Sequence, residues 1–118
     1  MDIDLYRYKA VVRSVYDGDT CTVDIDLGLK TWVRGEKLRL YRIDAPEVRG
    51  ATREAGLHAR DFLRNQIDDK EIYIQTIKDR KGKYGRYLAE IWLEDEDGAA
   101  VNVNDLMVAQ GHAVYREY

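Results

Sequence analysis

Tyr6, Tyr8, Ala10 and Val12 alternate with Arg7, Lys9, Val11 and Arg13. A repeat of two residues is that of a strand with one packed face and one wet face. Asp17-Gly18 ends this strand as a tight turn. Cys21, Val23, Ile25 and Leu27 then alternate with Thr22, Asp24 and Asp26, which predicts a second strand folded back on the first. A third extended stretch runs from about Lys30 to Ile43, broken near Gly35, and Pro46 stops it because proline brings no donor to a ladder. From Thr52 to Ile67 the period lengthens, and Ala55, Ala59, Phe62, Leu63, Gln66 and Ile67 share a helical face with arginines opposite. Glu71–Ile77 and Tyr87–Leu93 return to β-rich sequence, separated by a polar, glycine-containing turn at Lys78–Gly85. Asn102 can cap a short helix through Gln110, with Leu106, Met107 and Gln110 as inner-face candidates and Gly111 as its stop.

The order β-β-β-α-β-β-α predicts an α+β, mainly β fold: a five-stranded Greek-key barrel of the OB type. One main helix follows strand 3 and a short helix lies near the C-terminus. Closing the sheet in this way removes exposed strand edges. With 118 residues, 45% hydrophobic and 35% charged, the chain reads as one domain spanning 1–118, neither disordered nor repetitive. Its uncharged apolar runs are far shorter than the roughly 20 residues that cross a bilayer, and Met1-Asp2-Ile3-Asp4 does not read as a secretory leader. The lone Cys21 gives no internal disulfide or cysteine-based zinc site, and it falls on the inward phase of its strand as a small buried hydrophobe. The expectation is therefore a monomer with no membrane attachment in a reducing cytoplasm by default, with export left open.

A net charge of -3 argues against nucleic-acid binding by bulk attraction alone. The distribution adds to this, because Lys78, Arg80, Lys81, Lys83 and Arg86 face the single anion Asp79 in a local candidate anion site. The acidic groups Asp68-Asp69 and Glu94–Asp97 read as solvated turns.

Two motifs place carboxylates at strand ends: Asp17-Gly18-Asp19-Thr20 and Ile43-Asp44-Ala45-Pro46-Glu47. Asp19 and Asp44 brought together would form a partial shell of hard oxygens for an ion such as calcium, completed by water. Asp-Gly alone reads as a plain hairpin turn, so the second motif must supply the information. Glu47, held at a set angle after Pro46, could act as a general base on water or be an ordinary exposed loop glutamate. Arg39 and Arg86 offer planar, permanently charged forks suited to phosphate oxygens, though each could simply sit on the wet face of a strand. His58 and His112 have no metal-ligand spacing.

Asp17-Gly18-Asp19-Thr20, Arg39-Leu40-Tyr41-Arg42-Ile43-Asp44-Ala45-Pro46-Glu47 and Lys83-Tyr84-Gly85-Arg86, in that order and spacing, resemble the staphylococcal nuclease (thermonuclease) family. The resemblance covers nearly the whole chain, including the helix after the Pro-Glu motif and Val108-Ala109-Gln110-Gly111. It implies an OB-fold, a calcium ion and hydrolysis of phosphodiester bonds in DNA or RNA, with single-stranded or frayed substrate favoured and 3'-phosphate ends as products. By position it implies Asp19 and Asp44 as calcium carboxylates and Ala45 as a ligand through its backbone carbonyl, which the change from the family's threonine preserves. It implies Glu47 as the base that orients or deprotonates the attacking water, Arg39 and Arg86 as the phosphate clamp, and Lys83 and Tyr84 as contacts to a bound nucleotide's phosphate and sugar. Tyr115 and Tyr118 fall near tyrosines that flank the nucleotide in the family, offset by a residue, and take no individual assignment. The sequence ends at Tyr118, so the resemblance also implies a missing or greatly shortened C-terminal helix. The alternative is a non-catalytic OB-fold module that binds single-stranded nucleic acid or a protein partner, a role that would not need Asp19, Arg39, Asp44, Glu47 and Arg86 together.

Overall fold

The computed structural model describes residues 5–117. The alternating segments form three long antiparallel strands, β1 (Arg7–Asp17), β2 (Thr20–Gly28) and β3 (Thr31–Leu40). β1 and β2 join through Gly18, where a Cβ would lie 2.8 Å from the Cβ atoms of both Ala45 and Ala59, so the turn admits only glycine without a shift of its neighbours. β2 and β3 slip register between Val23 and Ile25, opposite the break expected near Gly35. Gly35 has φ +70° there, a conformation that favours glycine, and its N–H donates to Asp24 Oδ1 at 2.9 Å.

The chain then turns through Tyr41 and Arg42 into the two-residue strand β4 (Ile43–Asp44), passes a 3-10 turn at Gly50–Thr52 and enters α1 (Arg53–Ile67). β5 (Glu71–Lys81), β6 (Tyr87–Glu94), β7 (Ala100–Asn102), α2 (Val103–Ala109) and β8 (Val114–Tyr115) complete the described fold. The main sheet runs β3-β2-β1-β5-β6-β7, and β8 pairs with β4. Parallel pairing of β3 with β6 at Leu38–Tyr87, Arg39–Leu88 and Leu40–Ala89 closes the five long strands into a barrel. This is the expected OB-type barrel, α+β and mainly β, with β4, β7 and β8 as short additions.

Val12, Val23, Leu38, Leu40, Ile72, Ile74 and Ile91 fill the barrel, and α1 packs Ala59, Leu63 and Ile67 into the same core. Burial of each large aliphatic side chain contributes about 1.5–3 kcal/mol. Cys21 is fully buried, and burial pushes its thiol up to about 12, in keeping with its reading as a small hydrophobe. Asn102 caps α2 by accepting the Asp105 N–H.

Three expectations are corrected. Ala55 is exposed and Gly56 takes its place on the inner face of α1, because α1 lies too close to the preceding loop for a side chain there. In α2, Gln110 is exposed and Leu106 only half-buried, while Val103 and Asn104 join Met107 inside. Asn104 earns its place by donating to the Tyr41 and Ala89 carbonyls and accepting the Ile91 N–H, which ties α2 to the barrel. The polar turn expected at Lys78–Gly85 begins later: β5 continues to Lys81 through a register shift, with Lys78 and Asp79 at positive φ. Asp79 stabilises that irregularity by accepting hydrogen bonds from the Thr76 and Tyr8 hydroxyls. Among the described residues no helix is long and apolar enough to cross a membrane.

Candidate active site

The β1–β2 turn, the end of β3 and the start of β4 bring Asp19, Arg39, Asp44 and Ala45 together. Asp19 is 5% exposed, and its Oδ2 accepts the Ala45 N–H at 2.8 Å. Arg39, 8% exposed, does not occupy a wet face. Its Nη2 lies 3.3 Å from Asp19 Oδ2 and 3.2 Å from Asp44 Oδ1, and its Nη1 donates to the Leu40 and Ile43 carbonyls. One guanidinium therefore holds both carboxylates and the turn that carries Asp44. Asp44 is more open, and its other oxygen faces Arg116 Nη1 at 3.6 Å.

Asp19 is nonetheless short of positive charge. Burial, and then the neighbouring Asp17 carboxylate, push its acid up to about 6 against the opposing pull of Arg39. A buried carboxylate held high beside a second carboxylate, with a third within reach of the same arginine, is an electrostatic deficit that a cation relieves. The donors are all hard oxygens, which suits calcium or magnesium rather than zinc. Among the described residues no three of His, Cys, Asp or Glu converge as a metal cluster, so water and the Ala45 carbonyl would have to complete a shell begun by Asp19 and Asp44.

Thr20 links this buried group to an open cleft. Its hydroxyl donates to Asp19 Oδ1 at 3.1 Å and accepts from Arg86 Nη1 at 3.2 Å. The cleft encloses about 500 Å³, and Glu47, Arg86 and Tyr84 line it together with Tyr16, Lys37 and Arg49. Tyr84 is 70% exposed, with the Arg86 guanidinium 5.2 Å and the Lys83 ammonium 5.0 Å from its ring centre. Asp19, Arg39 and Asp44 are not among the cleft-lining residues; Thr20 lines the cleft and touches Asp19. Of the cation run read from the sequence, only Arg86 lines the cleft, whereas Lys81 pairs with Glu36 at 3.5 Å.

Glu47 is exposed, yet its backbone is held by the start of α1. The Thr52 hydroxyl donates to the Glu47 carbonyl at 2.9 Å. A Cβ at Gly56 would lie 2.2 Å from that same oxygen and 2.8 Å from the Val48 nitrogen, so only a glycine lets the helix approach. Sequence reasoning missed Gly56 and Thr52. The available signal was a glycine inside a helical pattern, where it is costly unless close approach needs it. Tyr16, Lys37 and Arg49 were missed as well, since a lone exposed aromatic or cation on a strand or loop carries no motif.

Tyr115 turns away from the cleft, donating its hydroxyl to Asp105 at 2.9 Å with its ring centre 5.8 Å from the Arg42 guanidinium. Tyr118 lies outside the described residues.

Residues 37–118 match the family described as staphylococcal nuclease homologue. A thermonuclease of Staphylococcus intermedius is 32% identical over 96 residues, covering 79% of this chain and 54% of its own. A thermonuclease of Staphylococcus hyicus is 34% identical over 92 residues, covering 75% of this chain and 50% of its own. An uncharacterized protein of Methanocaldococcus jannaschii is 28% identical over 134 residues, covering 96% of this chain and 61% of its own. The chain spans about half the length of the thermonucleases it matches. The matched segment carries Arg39, Asp44, Glu47 and Arg86 on a closed OB-type barrel, and the chain belongs to the staphylococcal nuclease homologue family.

Proposed function

We propose that the protein is a calcium-dependent nuclease that hydrolyses phosphodiester bonds of DNA or RNA, preferring single-stranded or frayed substrate. The observation that carries this reading is the join at Thr20 between a cation-deficient carboxylate group and a cleft holding Glu47 and Arg86. Two thermonucleases among its relatives support it. Asp19 and Asp44, with the Ala45 carbonyl, would hold the calcium ion. When bound, that ion neutralises charge developing on the phosphoryl oxygens.

The chain's own residues then divide the work. Arg86 projects from the cleft wall with no carboxylate partner among the described residues and takes a non-bridging phosphate oxygen. Arg39 keeps a second fixed positive charge beside Asp19 and Asp44, and its contacts to both carboxylates and to the Leu40 and Ile43 carbonyls prevent that charge from wandering. Such preorganised charge is often the largest contribution to phosphoryl-transfer rates. The Glu47 carboxylate accepts a proton from water and aligns it for in-line attack, with Thr52 and Gly56 fixing the backbone from which it reaches. Lys83 and Tyr84 meet the phosphate and sugar of the bound nucleotide. Departure of the 5'-oxygen leaves 3'-phosphate ends. None of these steps calls for a second copy of the chain.

A fluorogenic single-stranded DNA, assayed with calcium, with a chelator and with Glu47→Gln, tests the reading. Cleavage that needs both calcium and Glu47 is expected. Tight binding of the same oligonucleotide with no cleavage would make the protein a binding module instead.

A further inference from the structure

The outer barrel face beside the cleft has a profile that the proposed reaction leaves unused. Strand register sets it: Ser14 of β1 pairs with Thr22 of β2, Thr22 pairs with Lys37 of β3, and one row along Thr20 pairs with Arg39. Tyr16 stands two residues beyond Ser14, at the register shift between Val15 and Asp17, and both are exposed while Val15 between them is buried. Tyr16, Thr20, Thr22 and Lys37 all line the cleft that holds Glu47 and Arg86.

Long side chains at the two edges with threonines between them make a trough across three strands. Tyr16 is 50% exposed and Lys37 is exposed, and among the described residues neither side chain has a hydrogen bond or ion pair. Further along the same strands the outward cations are satisfied: Arg13 and Arg34 close on Asp24 at 2.6 and 3.1 Å. The unsatisfied cation and bare aromatic face coincide with the stretch that opens onto the cleft. Two carboxylates, Asp17 and Glu47, share the cleft wall, so the trough attracts an anion locally, at Lys37, rather than by a broad positive field.

We propose that Tyr16, Thr22 and Lys37 form a subsite for the nucleotide flanking the scissile phosphate of a single-stranded substrate. Its unpaired base stacks on Tyr16 over the threonine floor, and its phosphate meets the Lys37 ammonium. An aromatic ring beside a cation is how single strands are bound without sequence readout, and a base paired in a duplex cannot offer its face to Tyr16. The subsite rests on the reading of Arg86 as the phosphate clamp, which it extends by one nucleotide. It would let a chain of net charge -3 hold a polymer more tightly than a mononucleotide.

The test is the affinity of labelled hexathymidylate and of labelled thymidine 5'-monophosphate, read by fluorescence anisotropy in calcium on a Glu47→Gln background that does not cut. Tyr16→Ala should weaken hexamer binding by about tenfold, the lower range for loss of one base stack. Tyr16→Phe should restore it. Lys37→Ala should weaken hexamer binding severalfold and reduce the slope of log affinity against log salt by about 0.7, one phosphate contact on a single strand. Lys37→Arg should restore that slope. Mononucleotide affinity should change less than twofold in every one of these variants. Hexamer affinity unchanged in Tyr16→Ala and Lys37→Ala, but lost in Arg86→Ala, would overturn the subsite and leave the clamp standing. Hexamer affinity indifferent to Arg86→Ala would overturn the clamp and the subsite with it.

Discussion

Asp19 and Asp24 lie on the same short stretch of chain, both are 5% exposed, and electrostatically they are opposites. Asp24 accepts hydrogen bonds from Arg13, Arg34 and the Gly35 N–H, and the Arg13 bond above all holds its acid below the usual carboxylate range. Asp19 shares Arg39 with Asp44 and stands beside Asp17, and burial pushes its acid up to about 6. A buried charge that is fully partnered is a piece of architecture. A buried charge kept under-compensated beside an open cleft is a candidate for chemistry, because structure alone gives no reason to tolerate it.

The largest expected difference between the two is in rate. Asp19→Asn should lower cleavage by on the order of a hundredfold or more, the scale of losing one preorganised charge contact in a reaction centre. Asp24→Asn should leave the rate within a few-fold. Initial rates on single-stranded DNA, with folding checked by circular dichroism, decide this; equal losses in both variants would erase the distinction.

Stability should move the other way. Because the folded-state acid of Asp19 lies above its ordinary 3.8, the native state holds that proton more tightly than the unfolded chain does. Its contribution is fully present below about pH 4 and is lost as pH rises through about 6. In chelator at pH 7, Asp19→Asn should therefore raise unfolding stability by on the order of 2 kcal/mol. Asp24 has the opposite sign: its contribution exists above the ordinary carboxylate range and is lost as pH falls. Asp24→Asn should destabilise the protein at neutral pH and flatten its loss of stability in acid. Urea unfolding at several pH values reads both.

Two glycines sharpen the contrast on a smaller scale. Gly18→Ala drives a methyl against Ala45 and Ala59 and should cost about 1–3 kcal/mol, disturbing the Ala45 N–H that Asp19 accepts. Gly35→Ala meets no steric neighbour and should cost about 1 kcal/mol, from its φ of +70° alone. Thermal melts in chelator rank the two. The smallest effect belongs to Arg34→Ala, whose exposed half of an ion pair should be worth at most about 1 kcal/mol and should fade in salt.

The barrel was legible because its signals are local. Alternation from Tyr8 to Ile25, Asp17-Gly18, the helical stripe around Ala59 and Leu63, and the Asn102 cap each act within a few residues, whereas Tyr6 and Leu27 at the ends of the alternating series are exposed. Irregular ladder was less legible, as at Lys78–Asp79, where β5 survives because Asp79 is fastened to nearby Thr76 and, from distant sequence, to Tyr8. Of the candidate site, the motifs named Asp19, Arg39, Asp44, Glu47 and Arg86. They gave no hint that Arg39 would be buried between two carboxylates rather than exposed in the cleft, since that depends on how the β3–β4 turn meets the β1–β2 turn. Gly56, Thr52, Tyr16 and Lys37 escaped notice for the same reason: their meaning comes from what packs beside them.

The most direct measurement is a calorimetric titration of calcium into wild type, Asp24→Asn and Asp19→Asn at pH 7. The account predicts one site of similar affinity in wild type and Asp24→Asn and loss of binding in Asp19→Asn. Undiminished calcium affinity in Asp19→Asn, or none in wild type, would contradict it.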